Sequence, residues 1–173
     1  MSEKSNPYLT VISASFGIFV VINFLTKLGI PSAVKNTKRN PQETRWKWRN
    51  ILTSFVHSSI AGIWTILVFV LEPSLSEDML NSYSEYAQTL VCFSIGYFIY
   101  DFIDMAMYHL KGSTYELLLH HIMLIICYGM TVANKTYVAY SALSLLVEVN
   151  SIFLHARQLL IFAGFQKTSQ TYR

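Results

Sequence analysis

The sequence predicts an all-α membrane protein, a polytopic bundle of about five transmembrane helices. Hydrophobic residues make up 53% of the 173 positions and charged residues only 13%, which is more apolar than a soluble domain needs to fill its core. Five stretches also approach the roughly 20 apolar residues that a helix needs to cross a hydrocarbon layer. They run from about Tyr8 to Ile30, Asn50 to Leu71, Ala87 to Leu110, Leu117 to Asn134 and Tyr137 to Phe165.

The first stretch is interpreted as a retained helix rather than a cleaved signal peptide. Its amino-terminal flank holds one lysine, Lys4, which is balanced by Glu3. The apolar stretch is longer than the hydrophobic region of a typical signal peptide, and no small-x-small cleavage site stands out. We therefore expect this helix to stay in the mature protein.

The segment from Pro31 to Arg49, between the first two stretches, is predicted to be a cytoplasmic loop. It holds six lysines and arginines, whereas the segment from Glu72 to Tyr86 holds none and carries four acidic residues instead. Because loops rich in lysine and arginine stay in the cytoplasm, the amino terminus should face outward. Five helices then place the carboxyl end, with Lys167 and Arg173, on the cytoplasmic side.

Two tryptophans alternate with basic residues at the end of this segment. Trp46 and Trp48 lie between Arg45, Lys47 and Arg49, a mixture that suits the interface with anionic head groups at the inner leaflet. Basic and aromatic clusters also occur in nucleic-acid-binding proteins, but this one adjoins a membrane span. We therefore expect no nucleic-acid partner.

The fourth and fifth stretches are predicted to form a helical hairpin. The fourth is the shortest of the five, and the turn that follows it, Ala133 to Lys135, is tight. Short connections of this kind join antiparallel neighbours.

Polar residues inside four of the stretches recur at steps of three and four, which places each set on one helix face. The second stretch has Asn50, Ser54, His57 and Ala61 beside Gly62; the third has Ser94, Tyr97, Asp101, Asp104 and Tyr108; the fourth has His121, Leu124, Tyr128 and Thr131; the fifth has Ser141, Ser144, Glu148, Ser151, His155 and Gln158. Lipid tails satisfy no hydrogen bonds. The four stripes are therefore predicted to converge on a shared polar interior or a wet cavity.

The carboxyl groups of these stripes admit two explanations. At about 2.5 to 3.5 kcal/mol each on insertion scales, Asp101, Asp104 and Glu148 must pair, take up protons or meet water. Basic partners for a purely structural ion pair are available in His57, His155 and Arg157. The alternative is a ligand-binding or catalytic role, whereas the serines alone are expected to serve as hydrogen-bonding contacts between helices.

The adjacent histidines His120 and His121 are the first candidates for chemistry. A membrane di-iron enzyme needs more histidines than the five in this chain, in clusters such as HxxHH that are not found here. Neighbouring residues on a helix point about 100° apart, so the pair does not readily chelate one zinc ion, and no metal or other cofactor is expected. A histidine can, however, act as base or nucleophile in acyl transfer when a carboxylate on a neighbouring helix orients it.

Four motifs within residues 45–165 together resemble a known family. They are RWKWRNILTSFVHSSIAGIW, GYFIYDFIDM, ELLLHH and LLVEVNSIFLHARQLL. The combination is similar to the TLC domain, a lipid-sensing or lipid-handling membrane domain shared by ceramide synthases and translocating-chain-associating membrane proteins.

The resemblance implies a branch of this family outside the ceramide synthases. Those enzymes use a histidine pair, with aspartates on a following helix, to transfer an acyl chain from acyl-CoA to a sphingoid base. His120 and His121 match the pair, but the synthases' HDxxD-like cluster is replaced here by residues 148–152, which hold a single acid. Asp101 and Asp104 lie on the preceding helix and fit the pattern of the other branch.

The function implied by the resemblance is regulation of the phospholipid composition and fluidity of the plasma membrane. The protein would limit the incorporation of polyunsaturated acyl chains, with membrane lipids and fatty acyl chains as its partners. The expected polar core of its lipid cavity comprises His57, Asp101, Asp104, His120, His121, Glu148 and His155.

An enzymatic alternative stays open. It is a lipid acyltransferase that uses acyl-CoA as co-substrate, with His120 or His121 as base and Glu148 or Asp101 as the orienting partner. The endoplasmic reticulum is the alternative location. A transporter is less favoured, because no inverted repeat is apparent.

The resemblance also divides the chain into two parts. Residues 1–44 are expected to form the amino-terminal helix and a basic cytoplasmic loop, and residues 45–173 the TLC domain. Family members generally continue for further helices after the region that matches Leu145 to Leu160. The domain is therefore expected to be incomplete at its carboxyl end.

Overall fold

The described residues form a bundle of α-helices. The computed structural model describes residues 6–36, 40–108 and 112–165. Five spans in these ranges are long and apolar enough to cross a membrane, which confirms the predicted fold class. The helices are α1 (Pro7–Leu25), α2 (Ser32–Lys35), α3 (Pro41–Leu71), α4 (Glu85–Tyr108), α5 (Gly112–Asn134), α6 (Val138–Ser144) and α7 (Val147–Phe162), with a 3₁₀ helix at Pro73–Ser76.

Helix α3 begins well before the predicted start of the second span. The Asn40 side chain accepts a hydrogen bond from the Glu43 amide (3.4 Å), and Pro41 occupies the first helical position. Both are common devices for starting a helix. Lys47 then pairs with Glu43 one turn away (2.9 Å). The prediction that the whole segment from Pro31 to Arg49 is a loop is therefore wrong, because its second half is the start of α3.

The two tryptophans on this first part of α3 are buried among the helices. Trp46 and Trp48 are each only 8% exposed. The Trp48 ring packs edge-on against Phe162 of α7, with 6.4 Å between ring centroids. Arg49 likewise points inward, because its Nη1 donates to Asn23 Oδ1 of α1 (3.3 Å). This end of α3 therefore helps to hold the helices together.

Helix α4 is the centre of the bundle and contacts α1, α3, α5 and α6. Its apolar side chains, including Leu90, Val91 and Ile95, are almost fully buried. Helix α1 crosses it closely at Gly96, where an added Cβ would lie 2.5 Å from the Ile12 carbonyl oxygen. Small residues at such crossings let two membrane helices approach backbone to backbone.

The last predicted span is two helices rather than one. After α6, the Glu148 amide donates to the Leu145 carbonyl (2.9 Å), an i to i−3 bond that tightens the chain. The hydroxyls of Thr131 and Ser141 bond between α5 and α6 (3.0 Å), so α6 forms the predicted hairpin with α5. Helix α7 packs instead against α3. The helix expected over Tyr137–Phe165 is thus interrupted at residues 145–146, although Val138–Phe162 is still long and apolar enough to count as one candidate span.

Candidate functional site

A cavity of about 330 Å³ lies among α3, α4, α5 and α7, within the membrane-spanning helices. All four helices that carry a predicted polar stripe contribute to its wall, together with apolar side chains. The lining residues are Asn50, Ile51, Ser54, Ser58, Tyr97, Phe98, Asp101, Leu117, His120, His121, Glu148, Ser151, His155 and Gln158. We call this space the polar cavity.

His121 and Asp101 form a buried pair that joins α5 to α4. His121 Nε2 lies 3.0 Å from Asp101 Oδ2, and both side chains are nearly inaccessible to solvent. The other ring nitrogen, Nδ1, lies 2.7 Å from the Leu117 carbonyl oxygen. A carbonyl oxygen only accepts, so Nδ1 carries a hydrogen. Both nitrogens of His121 are therefore occupied within the protein.

A second set of bonds ties the α4 carboxyl groups to α3. Asn50 Nδ2 donates to Asp101 Oδ1 (2.6 Å) and lies 3.3 Å from Asp104 Oδ2. The indole Nε1 of Trp46 donates to the same Asp104 oxygen (2.8 Å). The network thus runs from Trp46 on α3 through both carboxyl groups to His121. Paired in this way, the carboxyl groups avoid the cost of facing lipid.

The Trp46 bond leads to a test of this network. We expect Trp46→Phe to lower the free energy of unfolding by about 1 to 3 kcal/mol, because a buried carboxyl group loses its shortest donor while the aromatic bulk stays. Trp48→Phe is the matched control, since Trp48 is equally buried and its indole nitrogen has no hydrogen-bond partner among the described residues. Denaturation in mixed detergent micelles measures the free energy of unfolding of both variants. Equal losses of stability in the two variants would contradict the role given to Trp46.

Glu148 makes the corresponding link between α7 and α3. Its Oε2 accepts a hydrogen bond from Ser58 Oγ (2.6 Å) and lies 4.0 Å from His57 Nδ1. His57 itself is fully buried and stacks on Tyr97 with 3.8 Å between ring centroids. Its Nε2 lies 3.4 Å from Ser94 Oγ. His57 is therefore a packed residue behind the cavity wall rather than part of its surface.

His120 and His155 differ from the other two described histidines in facing the polar cavity without a hydrogen bond to the described part of the chain. His120 is exposed, and its ring stands at 88° to that of His121. His155 Nδ1 is buried. The His120 imidazole is therefore the more available of the two to a bound molecule.

Five of the seven predicted core residues line the polar cavity, while the other two lie just outside it. The five are Asp101, His120, His121, Glu148 and His155, and the two are His57 and Asp104. Tyr108, predicted on the same face as Asp101, is instead 59% exposed. Among the described residues, no three His, Cys, Asp or Glu side chains are grouped so as to hold a metal ion.

Sequence reasoning missed two residues that bind the core carboxyl groups. Trp46 lies four positions before Asn50, and Ser58 lies four positions after Ser54. Trp46 continues the α3 stripe by one helical turn, and Ser58 lies on the same face within the predicted stretch. Extending the periodicity past the apolar stretch would have found Trp46, and completing it within the stretch would have found Ser58.

Comparisons with known proteins point to one family. The family model described as TLC domain matches residues 47–172. The chain is 42% identical over 165 residues to "TLC domain-containing protein 2" of Danio rerio, covering 95% of this chain and 64% of that protein. It is 41% identical over 115 residues to "TLC domain-containing protein 1" of Gallus gallus, covering 66% of this chain and 46% of that protein. No solved structure matches.

A human protein of the same description is also similar to this chain. "TLC domain-containing protein 2" of Homo sapiens is 35% identical over 127 residues, covering 73% of this chain and 48% of that protein. The chain thus spans between about half and two thirds of the length of these relatives.

Proposed function

The chain belongs to the TLC domain family, and from that membership and its polar cavity we propose that it regulates the phospholipid composition of a membrane. It binds a lipid or fatty acyl chain in the polar cavity and limits the incorporation of polyunsaturated acyl chains into phospholipids. The plasma membrane is its proposed location, with the endoplasmic reticulum as the alternative.

The observation that carries this proposal is that most ionisable groups around the cavity already have hydrogen-bond partners within the protein. Asp101 and His121 bond to each other, and Glu148 bonds to Ser58, so most of the ionisable core is satisfied within the protein. Apolar side chains, namely Ile51, Phe98 and Leu117, line the cavity together with the polar ones. Sites of this composition bind ligands, and at bilayer depth the available ligands are lipids.

Cells that lack the protein provide the test of this proposal. Supplied with a polyunsaturated fatty acid, they should accumulate more polyunsaturated phosphatidylethanolamine than the same cells producing the 173-residue chain. Lipid mass spectrometry measures the difference. An unchanged acyl profile, with the chain present in the membrane at normal abundance, would count against the proposal.

One observation favours an acyltransferase as the second candidate function. His120 is available in the same cavity as the Glu148 carboxyl group, and an imidazole there could take the proton of an acceptor amine or hydroxyl as it attacks an acyl-CoA thioester. The acyl group would pass to the acceptor, and CoA would leave as the thiol or thiolate. His121 is unsuited to this task because both of its ring nitrogens are already bonded.

The two candidates are separated by a variant of the free histidine. If the chain is a regulator without acyl-transfer chemistry, we expect His120→Gln to restore the lipid profile as wild type does, and purified protein to form no product from acyl-CoA and acceptor lipids. Product formation that His120→Gln abolishes would instead establish the acyltransferase.

A further inference from the structure

A second cavity, of about 410 Å³, lies between α1, α4 and α5 at the end of the bundle where α1 begins. It shares no lining residue with the polar cavity. Its lining includes Tyr8, Ile12, Ile95, Ile125, Gly129 and Lys135. We call it the α1/α5 groove.

The floor of the α1/α5 groove is apolar and open. Ile12, Ile95 and Ile125 supply branched aliphatic side chains from three different helices. At Gly129 an added Cβ would meet nothing within 4 Å, so the missing side chain leaves the space unobstructed. A volume of this size is in the range, roughly 300 to 1,000 Å³, of sites that enclose small ligands.

The mouth of the groove holds a fixed cation. Lys135 has a φ of +56°, a left-handed conformation uncommon for lysine, and its amide donates to the Thr131 carbonyl (2.9 Å) at the end of α5. Its ammonium lies 5.7 Å from the Tyr8 ring centroid and 5.3 Å from that of Tyr83. The two tyrosine hydroxyls bond to each other (2.8 Å), which fixes this aromatic support.

An acidic loop lies beside this cation. The Tyr137 amide donates to the Leu80 carbonyl (3.2 Å), which ties the Lys135 turn to the loop between α3 and α4. That loop, residues 72–84, carries three acidic residues and no lysine or arginine. Hydrogen bonds from the Asn81 side chain and amide lower the pKa of Asp78, so its carboxylate stays charged at neutral pH. The loop that adjoins Lys135 through Leu80 and Tyr83 therefore carries a net negative charge.

We propose that the α1/α5 groove binds a zwitterionic glycerophospholipid. One acyl chain lies on the floor formed by Ile12, Ile95 and Ile125, and the phosphate meets the Lys135 ammonium. The positively charged head-group amine faces the acidic loop. The groove therefore matches both the apolar tail and the charge order of such a lipid, and the site is separate from the polar cavity of the proposed function.

Photolabelling of the full 173-residue chain in phosphatidylcholine vesicles tests this site. The probe is a phosphatidylcholine with a photoactivatable group in one acyl chain, and peptide mapping counts the label on residues 125–133. We expect Gly129→Phe to lower this label several-fold, because the ring fills the groove. Gly17→Phe is the matched control, since an added Cβ at Gly17 of α1 also meets nothing within 4 Å and Gly17 does not line the groove.

A second variant tests the charge at the mouth. Asparagine tolerates the left-handed conformation, so Lys135→Asn removes the ammonium and preserves the turn. We expect it to lower phosphatidylcholine labelling several-fold while labelling by the matching diacylglycerol, which lacks a phosphate, stays constant. Wild-type labelling in Gly129→Phe would overturn the proposal. An equal loss of labelling by both probes in Lys135→Asn would also overturn it. So would stronger labelling of the wild type by a phosphatidylserine probe than by the phosphatidylcholine probe.

Discussion

Replacing Asp101 by alanine is expected to lower the free energy of unfolding by about 3 to 5 kcal/mol, the range found when one partner of a buried ion pair is removed. The carboxyl group accepts one hydrogen bond from Asn50 on α3 (2.6 Å) and lies 3.0 Å from His121 on α5. Its loss leaves the buried His121 Nε2 without its partner, removes the shorter of the two Asn50 hydrogen bonds, and weakens the contacts of α4 with α3 and α5. The stability should be measured by denaturation in mixed detergent micelles.

Two further variants make this prediction specific. Glu116→Ala removes a carboxyl group from the exposed face of α5 and should change the stability by less than about 0.5 kcal/mol. The double variant Asp101→Ala, His121→Ala should lose less than the sum of the two single losses, because each single change already breaks the shared contact. Additive losses would show that the two side chains do not interact.

Replacing Gly96 by alanine is expected to displace α1 from α4. The new Cβ would lie 2.5 Å from the Ile12 carbonyl oxygen and 2.6 Å from Ser15 Cβ, and neither the backbone of α1 nor a Cβ can yield without moving the helix. Overpacking of this kind costs about 1 to 3 kcal/mol. The shift should also lengthen the bond from Ser15 Oγ to the Phe93 carbonyl, now 2.6 Å.

Gly129→Ala provides the control for this change. At that site in α5 an added Cβ meets nothing within 4 Å, so alanine should be neutral or slightly stabilising through its better helix propensity. A thermal unfolding comparison of the two variants decides the matter. If Gly96→Ala is as stable as Gly129→Ala, helices α1 and α4 do not cross at Gly96.

The sequence was sufficient to predict the spans and the faces that meet inside the bundle. Hydrophobic length identified five crossing segments, and the period of three and four identified the faces that bear Asp101, His121 and Glu148. Both predictions use properties of one helix at a time, its hydrophobic length and the spacing of its polar residues. They therefore need no knowledge of how one helix packs against another.

The partners within the site were not predictable in the same way. The stripes allowed Glu148 to pair with several groups, whereas the structure pairs it with Ser58. That pairing requires α7 to lie close to α3, as it does at Gly62, where an added Cβ would lie 3.2 Å from the Val149 amide nitrogen. Neither glycine nor proline marks the break after α6, so helix-breaking residues do not reveal it in the sequence.

The start of α3 was predicted wrongly for a different reason, because a signal present in the sequence was not used. Asn40, Pro41 and Glu43 are a sequence signal for a helix start, and they lie inside the segment predicted as a loop. The basic residues that follow were interpreted through membrane topology alone. Lysine and arginine can mark the cytoplasmic side and still belong to a helix that extends beyond the hydrocarbon layer.

The most direct test of the central claim, that the polar cavity binds the lipid through which this protein controls acyl composition, is to fill the cavity. Ser151→Phe places a ring in it from α7, where the serine hydroxyl donates within its own helix to the Val147 carbonyl. Ser59→Phe on α3 is the control, since Ser59 also bonds within its helix and does not line the cavity.

Cells that lack the protein should be supplied with an isotope-labelled polyunsaturated fatty acid, and its incorporation into phosphatidylethanolamine measured at matched abundance of each variant. We predict that wild type and Ser59→Phe lower the incorporation and that Ser151→Phe does not. Incorporation lowered equally by all three proteins would contradict the claim.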